Sequence, residues 1–220
     1  MRTLWLNSKM EQNMELQSKE IVMQNITTWP EIGINYWGIN KVATSSLMAY
    51  FISATSDIPI NELNQNNDQQ AKIIAKKQKR YIDNNTAYNN GCKNLIVVRN
   101  PYDRIISCYR MFKYPSNETQ KSGAGKARFD SNWNENEFLN HIETQFNNNI
   151  RGNKHYAKQI TFVPHIDKMD YVIKLEEIFF QWPLSNLPTF VFNKSDKQEV
   201  NMDIDRVKNL YKEDYKMFGY

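Results

Sequence analysis

Two short stretches hold the residues best suited to chemistry. In NKVATSSL, residues 40–47, Lys41 precedes a run of hydroxyl residues, Thr44, Ser45 and Ser46. In VVRNPYDRIISCYR, residues 97–110, Arg99 is followed by Arg104, Ser107 and Arg110 at i, i+3 and i+6. Arginine offers a planar fork of donors that matches a phosphate, lysine a point charge, and hydroxyls short additional donors. The shared chemistry is anion binding. Each stretch also has a plainer use: Ser45 or Ser46 caps a helix while Lys41 points to solvent, and Arg104 and Arg110 pair with Asp103 or other surface acids.

The elements around these stretches decide whether they can act together. Residues 34–39, INYWGI, are rich in β-branched and aromatic types and read as a buried strand. SSLMAYFISA then reads as a helix, with Leu47, Tyr50 and Phe51 at i, i+3 and i+4. A second unit repeats the pattern. KNLIVV is a continuous apolar run expected of a strand covered on both faces. After it, Asn100 is the N-cap and Pro101 the first residue of a helix whose apolar face is Tyr102, Ile105, Ile106 and Tyr109.

Strand, turn and helix recur further on. Residues 57–68 read as loop, 69–82 as a helix with a basic face at Lys72, Lys76, Lys77, Lys79 and Arg80, and NNTAYNNG as a turn cluster. Residues 114–133 read as a mobile loop. Within it GAGKAR lacks the glycine spacing, the Ser/Thr after lysine and the preceding strand of a phosphate loop. NENEFLNHIETQF reads as a helix with Phe138, Ile142 and Phe146 on one face, YVIKL as a strand and EEIFFQW as a short helix. DIDRVKNLYKEDYKMFGY reads as one last helix, with Val207, Leu210, Tyr211 and Tyr215 inward. The Asn-rich patches read as polar surface. Alternating strands and helices imply an α/β fold with a mainly parallel sheet, in one domain spanning residues 1–220. In such sheets ligands bind beyond the carboxyl ends of the strands, and both basic stretches fall there.

Composition narrows the classes. With 220 residues, 40% of them hydrophobic, the chain can bury a sizeable core. A net charge of +4 is compatible with an anionic ligand and does not by itself indicate a nucleic-acid partner. Two cysteines, Cys92 and Cys108, form neither a disulfide framework nor a zinc site, which points to a reducing compartment. The first residues, MRTLWLNSKMEQNMELQSKE, have an apolar patch too short for a signal peptide or an anchor, so a cytoplasmic location is expected. A Walker loop would place lysine after the glycines, which disfavours ordinary ATP chemistry.

Together the two units resemble the PAPS-dependent sulfotransferases, especially the membrane-type carbohydrate branch. NKVATSSL looks like the 5′-phosphosulfate loop, which assigns Lys41, Val42, Ala43, Thr44, Ser45 and Ser46 to the 5′-phosphosulfate, with Ala43-Thr44 in place of the usual glycine-containing pair. VVRNPYDRIISCYR is similar to the 3′-phosphate motif, which assigns Arg99 and Ser107 to the 3′-phosphate. HYAKQ, residues 155–159, is similar to a further element of the carbohydrate branch, with Lys158 where proline is usual.

The resemblance implies a P-loop-like three-layer fold and in-line transfer of a sulfonate from PAPS to a hydroxyl or amine of an acceptor, most naturally a carbohydrate, with no metal. Lys41 would stabilise the leaving phosphate. A general base is also required, and His155 is the first candidate by its HYAKQ context, with Glu62 and Asp57 as alternatives. The competing readings are another nucleotide-dependent transferase such as a kinase, and a non-catalytic protein that binds nucleotides or polyanions through the basic face. No specific nucleic-acid partner, membrane segment or oligomeric state is implied.

Overall fold

The structure is a computed structural model that describes residues 25–64, 68–114, 132–148, 153–184 and 199–220. The N-terminal stretch expected to be neither leader nor anchor, and residues 115–131 of the expected mobile loop, lie outside the described residues.

Chain order is β1 (Asn25–Trp29), β2 (Ile34–Gly38), α1 (Thr44–Thr55), α2 (Ile60–Asn64), α3 (Asp68–Lys77), β3 (Tyr81–Ile82), α4 (Asn84–Asn89), β4 (Lys93–Val98), α5 (Pro101–Lys113), α6 (Glu135–Asn147), β5 (Tyr171–Lys174), α7 (Ile178–Gln181), α8 (Ile204–Leu210) and α9 (Lys212–Phe218). The α/β class expected from the alternation of elements is what the chain adopts.

The five strands form one sheet in the order β3-β1-β2-β4-β5. β2 pairs parallel with β4, and β4 with β5, whereas β1 runs antiparallel to both β2 and β3. The expectation of a mainly parallel sheet therefore needs correcting to a mixed one. The cause is local: β1 and β2 are joined by a tight turn over Pro30–Ile32, closed by Gly33 at φ 68°, and a connection that short can only join antiparallel strands. Ile26, Thr27, Thr28 and Trp29, just before Pro30, carried the strand signal that the sequence reading passed over.

Other differences are equally local. The helix expected over 69–82 ends at Lys77 because Lys79 turns left-handed at φ 55°, and Tyr81–Ile82 then pair with β1. The turn cluster at 83–90 contains α4, capped by the Asp83 carboxylate on the Thr86 N–H. Residues 57–68, expected as loop, include α2. The single C-terminal helix divides at Tyr211, whose buried ring and bond to the Tyr156 carbonyl take precedence over helix continuity.

Two apolar clusters fill the interior. The first joins the sheet to α1, whose residues Leu47 to Ile52 are all buried, with Phe51 against Trp29 and Tyr36. The second gathers Ile105, Cys108 and Tyr109 of α5, Phe138 and Ile142 of α6, and Val207 of α8 around Tyr156 and Tyr211. α1 is apolar around most of its circumference, which suits a helix enclosed by sheet and α3.

The amino ends of the parallel strands are pinned by amides. Asn35, fully buried, donates to the Ala87 carbonyl at 2.8 Å, and the Trp37 indole donates to Asn94 at 3.0 Å. Asn94, within the strand expected to be covered on both faces, is thus structural, and its own N–H is held by Asp170 at 2.8 Å. With that end sewn shut, the carboxyl ends of β2, β4 and β5 are left to build a site.

At Gly38 a Cβ would lie 3.0 Å from the Asn25 carbonyl and 3.3 Å from Thr44 Cγ2. Gly38→Ala should therefore lower stability by about 1–3 kcal/mol. Thermal unfolding would register this as a drop of several degrees, and an unchanged midpoint would contradict the close approach of β1, β2 and the head of α1.

Candidate functional site

The connection from β2 to α1 spans residues 39–43. Ile39 and Val42 are fully buried, so the loop is fastened at two points. Lys41 and Ala43 are left-handed, at φ 70° and 60°, on either side of Val42. Successive residues of opposite hand turn their N–H groups toward one side, the geometry of an anion-binding concavity.

α1 begins on this loop with Ala43 as its N-cap and no side-chain cap. The plainer use of Ser45 or Ser46 as a cap is thus not the one adopted. Among the described residues neither serine hydroxyl is hydrogen-bonded. The Thr44 hydroxyl is used internally: it donates to the Ile39 carbonyl and accepts from the Tyr36 hydroxyl at 3.3 Å. Thr44 therefore closes the turn, and Val42, its side chain in the core, can offer a ligand only its backbone.

Arg99 follows β4, the parallel neighbour of β2. Its guanidinium donates to the Lys41 carbonyl at 3.3 Å, which brings the two basic stretches into direct contact. Its backbone is clamped from both sides by Gln159, whose amide oxygen accepts from the Arg99 N–H at 2.9 Å and whose amide nitrogen donates to the Arg99 carbonyl at 2.8 Å. Burial lowers the Arg99 pKa, while Asp103 and Glu176 act to raise it and Arg110 to lower it. An arginine stays charged under such shifts. Ser107 and Arg110, three residues apart on α5, share a face, and the Ser107 hydroxyl has no partner among the described residues.

Arg104 behaves quite differently from either sequence reading. It is 1% exposed, pairs with no carboxylate among the described residues, and donates to backbone carbonyls: Asn40 at 3.0 Å, Ala157 at 2.8 Å and Lys154 at 3.4 Å. The segment it holds, residues 153–160, is further tied by Asp214, whose buried carboxylate accepts the N–H groups of Gln159 at 2.7 Å and Ile160 at 3.0 Å. Burial raises the Asp214 pKa against these bonds. Sequence reasoning left Asp214 unassigned, since nothing in YKEDYKMFGY separates a buried aspartate from its exposed neighbour Glu213.

His155 sits on that segment beside the loop. Burial first, then the charges of Lys41, Lys154, Arg104 and Lys72, push its pKa down to about 3, so the ring is neutral at physiological pH. Its Nδ1 is buried without a hydrogen-bond partner, and Phe112 meets the ring edge-on at 5.9 Å. The Asn40 amide nitrogen is likewise buried and unpartnered. His141 and His165 are placed elsewhere, the former against Tyr156 and Trp133, the latter against Tyr88. Asp57 and Glu62 are exposed in the stretch after α1.

The basic face of α3 is real at Lys72, Lys76 and Lys77, all exposed, with Lys79 just beyond it. Arg80 does not belong to it, because both its terminal nitrogens bond Glu31 at 2.8 Å and its guanidinium lies over Trp29. Among the described residues no group of His, Cys, Asp or Glu could hold a metal ion, and no helix is long and apolar enough to cross a membrane.

The arrangement is a cationic cluster at the carboxyl ends of two adjacent parallel strands, with an uncapped helix start, serine hydroxyls without partners among the described residues and a neutral imidazole beside it. It can hold an anion with more than one phosphate-like group and accept a proton next to one of them. The left-handed Ala43 is its strained point. Ala43→Gly should relieve about 1 kcal/mol and raise the unfolding midpoint by roughly 2–4 °C. A lowered midpoint would mean that the loop does not hold this conformation in solution.

A family model described as the sulfotransferase family matches residues 24–182, well over half of the chain. No curated protein and no solved structure matches.

Proposed function

This chain belongs to the sulfotransferase family, and from that premise we propose that it transfers a sulfonate from PAPS to a hydroxyl or amine of a carbohydrate acceptor, on a P-loop-like three-layer fold. The observation that carries this reading is the bond from Arg99 to the Lys41 carbonyl. It unites a loop suited to a 5′-phosphosulfate with an element suited to a 3′-phosphate, as a nucleotide charged at both positions requires.

In this reading the N–H groups of residues 41–46 and the hydroxyls of Ser45 and Ser46 hold the 5′-phosphosulfate, and Arg99 and Ser107 hold the 3′-phosphate. As the bond from sulfur to the bridging phosphate oxygen breaks and the bond to the acceptor oxygen forms, negative charge gathers on the bridging oxygen. Lys41 stabilises it there. His155 accepts the acceptor proton. Burial makes its basicity low, but part of that depression comes from Lys41. An anion against Lys41 offsets that charge, so the imidazole becomes a better base as the donor binds.

Lys72 of α3 is close enough to act on His155. A basic face within electrostatic reach of His155 favours an acceptor carrying its own negative charge, such as an acidic glycan.

Adenosine 3′,5′-bisphosphate at about 100 times its dissociation constant should add about 2.7 kcal/mol and raise the unfolding midpoint by several degrees. Absence of a shift at millimolar bisphosphate would remove the donor assignment. Arg99→Ala should weaken bisphosphate binding roughly 10- to 100-fold while changing adenosine 5′-phosphosulfate binding far less, since hydrogen bonds to charged groups contribute about 1.5–3 kcal/mol. Equal losses for both nucleotides would take Arg99 off the 3′-phosphate. Lys41→Ala should slow sulfonate release at saturating donor about 10²-fold or more, and an unchanged rate would take Lys41 out of the transfer.

A further inference from the structure

We infer that Arg104 is a positioning residue that locks the Lys41 loop to the His155 segment, so that the two move as one body. The guanidinium is 1% exposed, and its donors reach the backbone carbonyls of two separate segments: Asn40, immediately before Lys41, and Lys154 and Ala157, on either side of His155. A planar fork can span carbonyls that diverge in this way. A lysine ammonium cannot, because its donors radiate from one point.

The charge makes the link stiff. No carboxylate pairs with Arg104 among the described residues, so carbonyl dipoles are its bonded compensation, and Asp214 supports it only through space. Displacing either segment would leave a buried cation with an unfilled donor, a costly state. One segment therefore cannot leave without the other. Each of them also carries a buried polar atom with no partner, Asn40 Nδ2 and His155 Nδ1. A ligand that satisfies one finds the other already set in place.

The catalytic consequence rests on the reading of Lys41 and His155 as the groups that act on the transferred sulfonate and the acceptor. The mechanical link does not. Hydrogen exchange on the wild-type chain tests the link without any ligand: under low denaturant, residues 40–46 and 154–160 should share one opening transition. Separate transitions would overturn the inference, and this measurement stands even if every Arg104 variant fails to fold. In Arg104→Lys both segments should exchange at least about tenfold faster together, with β2 and β4 changed less than about twofold. Acceleration of only one segment, or of neither, would overturn it as well.

The consequence is read from the His155 ring resonance at fixed pH, with adenosine 3′,5′-bisphosphate as the probe. In the wild type the resonance should move on binding; in Arg104→Lys the nucleotide should still bind through Arg99, but the resonance should move less than about one third as far. An equal movement in the variant would reduce Arg104 to a core residue. If the wild type binds no bisphosphate while the two segments still open together, the donor assignment fails and the link between them is supported.

Discussion

The parallel pairing of β2 with β4 is the constraint on which the rest of the molecule depends. From Ile34 opposite Lys93 to Trp37 opposite Ile96, it makes the two strands end side by side. The loop after one strand and the arginine after the other then meet at the same end of the sheet. Parallel strands cannot be joined by a tight turn, so the chain between them must make a long crossover. Here that crossover contains α1, α2, α3, β3 and α4. α1 covers one face of the sheet and begins, uncapped, at that end. The arrangement of the site is thus a consequence of sheet topology before any polar contact is considered.

Polar contacts then hold the loop, Arg99 and the His155 segment together. Gln159 grips the backbone of Arg99, Asp214 grips the backbone of Gln159, and Arg104 gathers the carbonyls on either side of His155 together with that of Asn40. All three side chains are buried. Buried polar groups are costly unless satisfied, and each of these is satisfied by backbone atoms from a different part of the chain. The result is a scaffold in which charge is used structurally at Arg104, while the Arg99 guanidinium reaches the Lys41 carbonyl. Burial first, and then the surrounding cations, keep the His155 imidazole neutral.

Much of this was legible in the sequence, for a physical reason. Short-range signals determine strands, caps and turns, and here they were strong. KNLIVV became β4, with five of its six residues buried, and Asn100 and Pro101 opened α5 as their types predict. The α/β class followed from the alternation of such elements. The signals failed where long-range contacts overrode them. Asn35 and Asn94 lie in strands expected to be buried, but no local signal foretold that their amides would meet the Ala87 carbonyl and the Trp37 indole. Ile26 to Trp29 carry a strand signal, but the pairing of β1 with β2 depends on a turn at Pro30–Gly33 whose hairpin role is visible only once both strands are in place.

By itself the sequence determined the identity and spacing of the candidate anion-binding groups, since lysine, arginine and hydroxyls at those intervals suit a phosphorylated ligand. Tertiary structure alone decided how they are used. It put the Thr44 hydroxyl into the turn, bound Arg80 to Glu31 and buried Arg104 among carbonyls, while leaving the Ser45, Ser46 and Ser107 hydroxyls free for a ligand. It also set His155 beside Lys41. The chemical type of a side chain is a local property. Whether its charge or hydroxyl is free for a ligand depends on neighbours that arrive from distant parts of the chain.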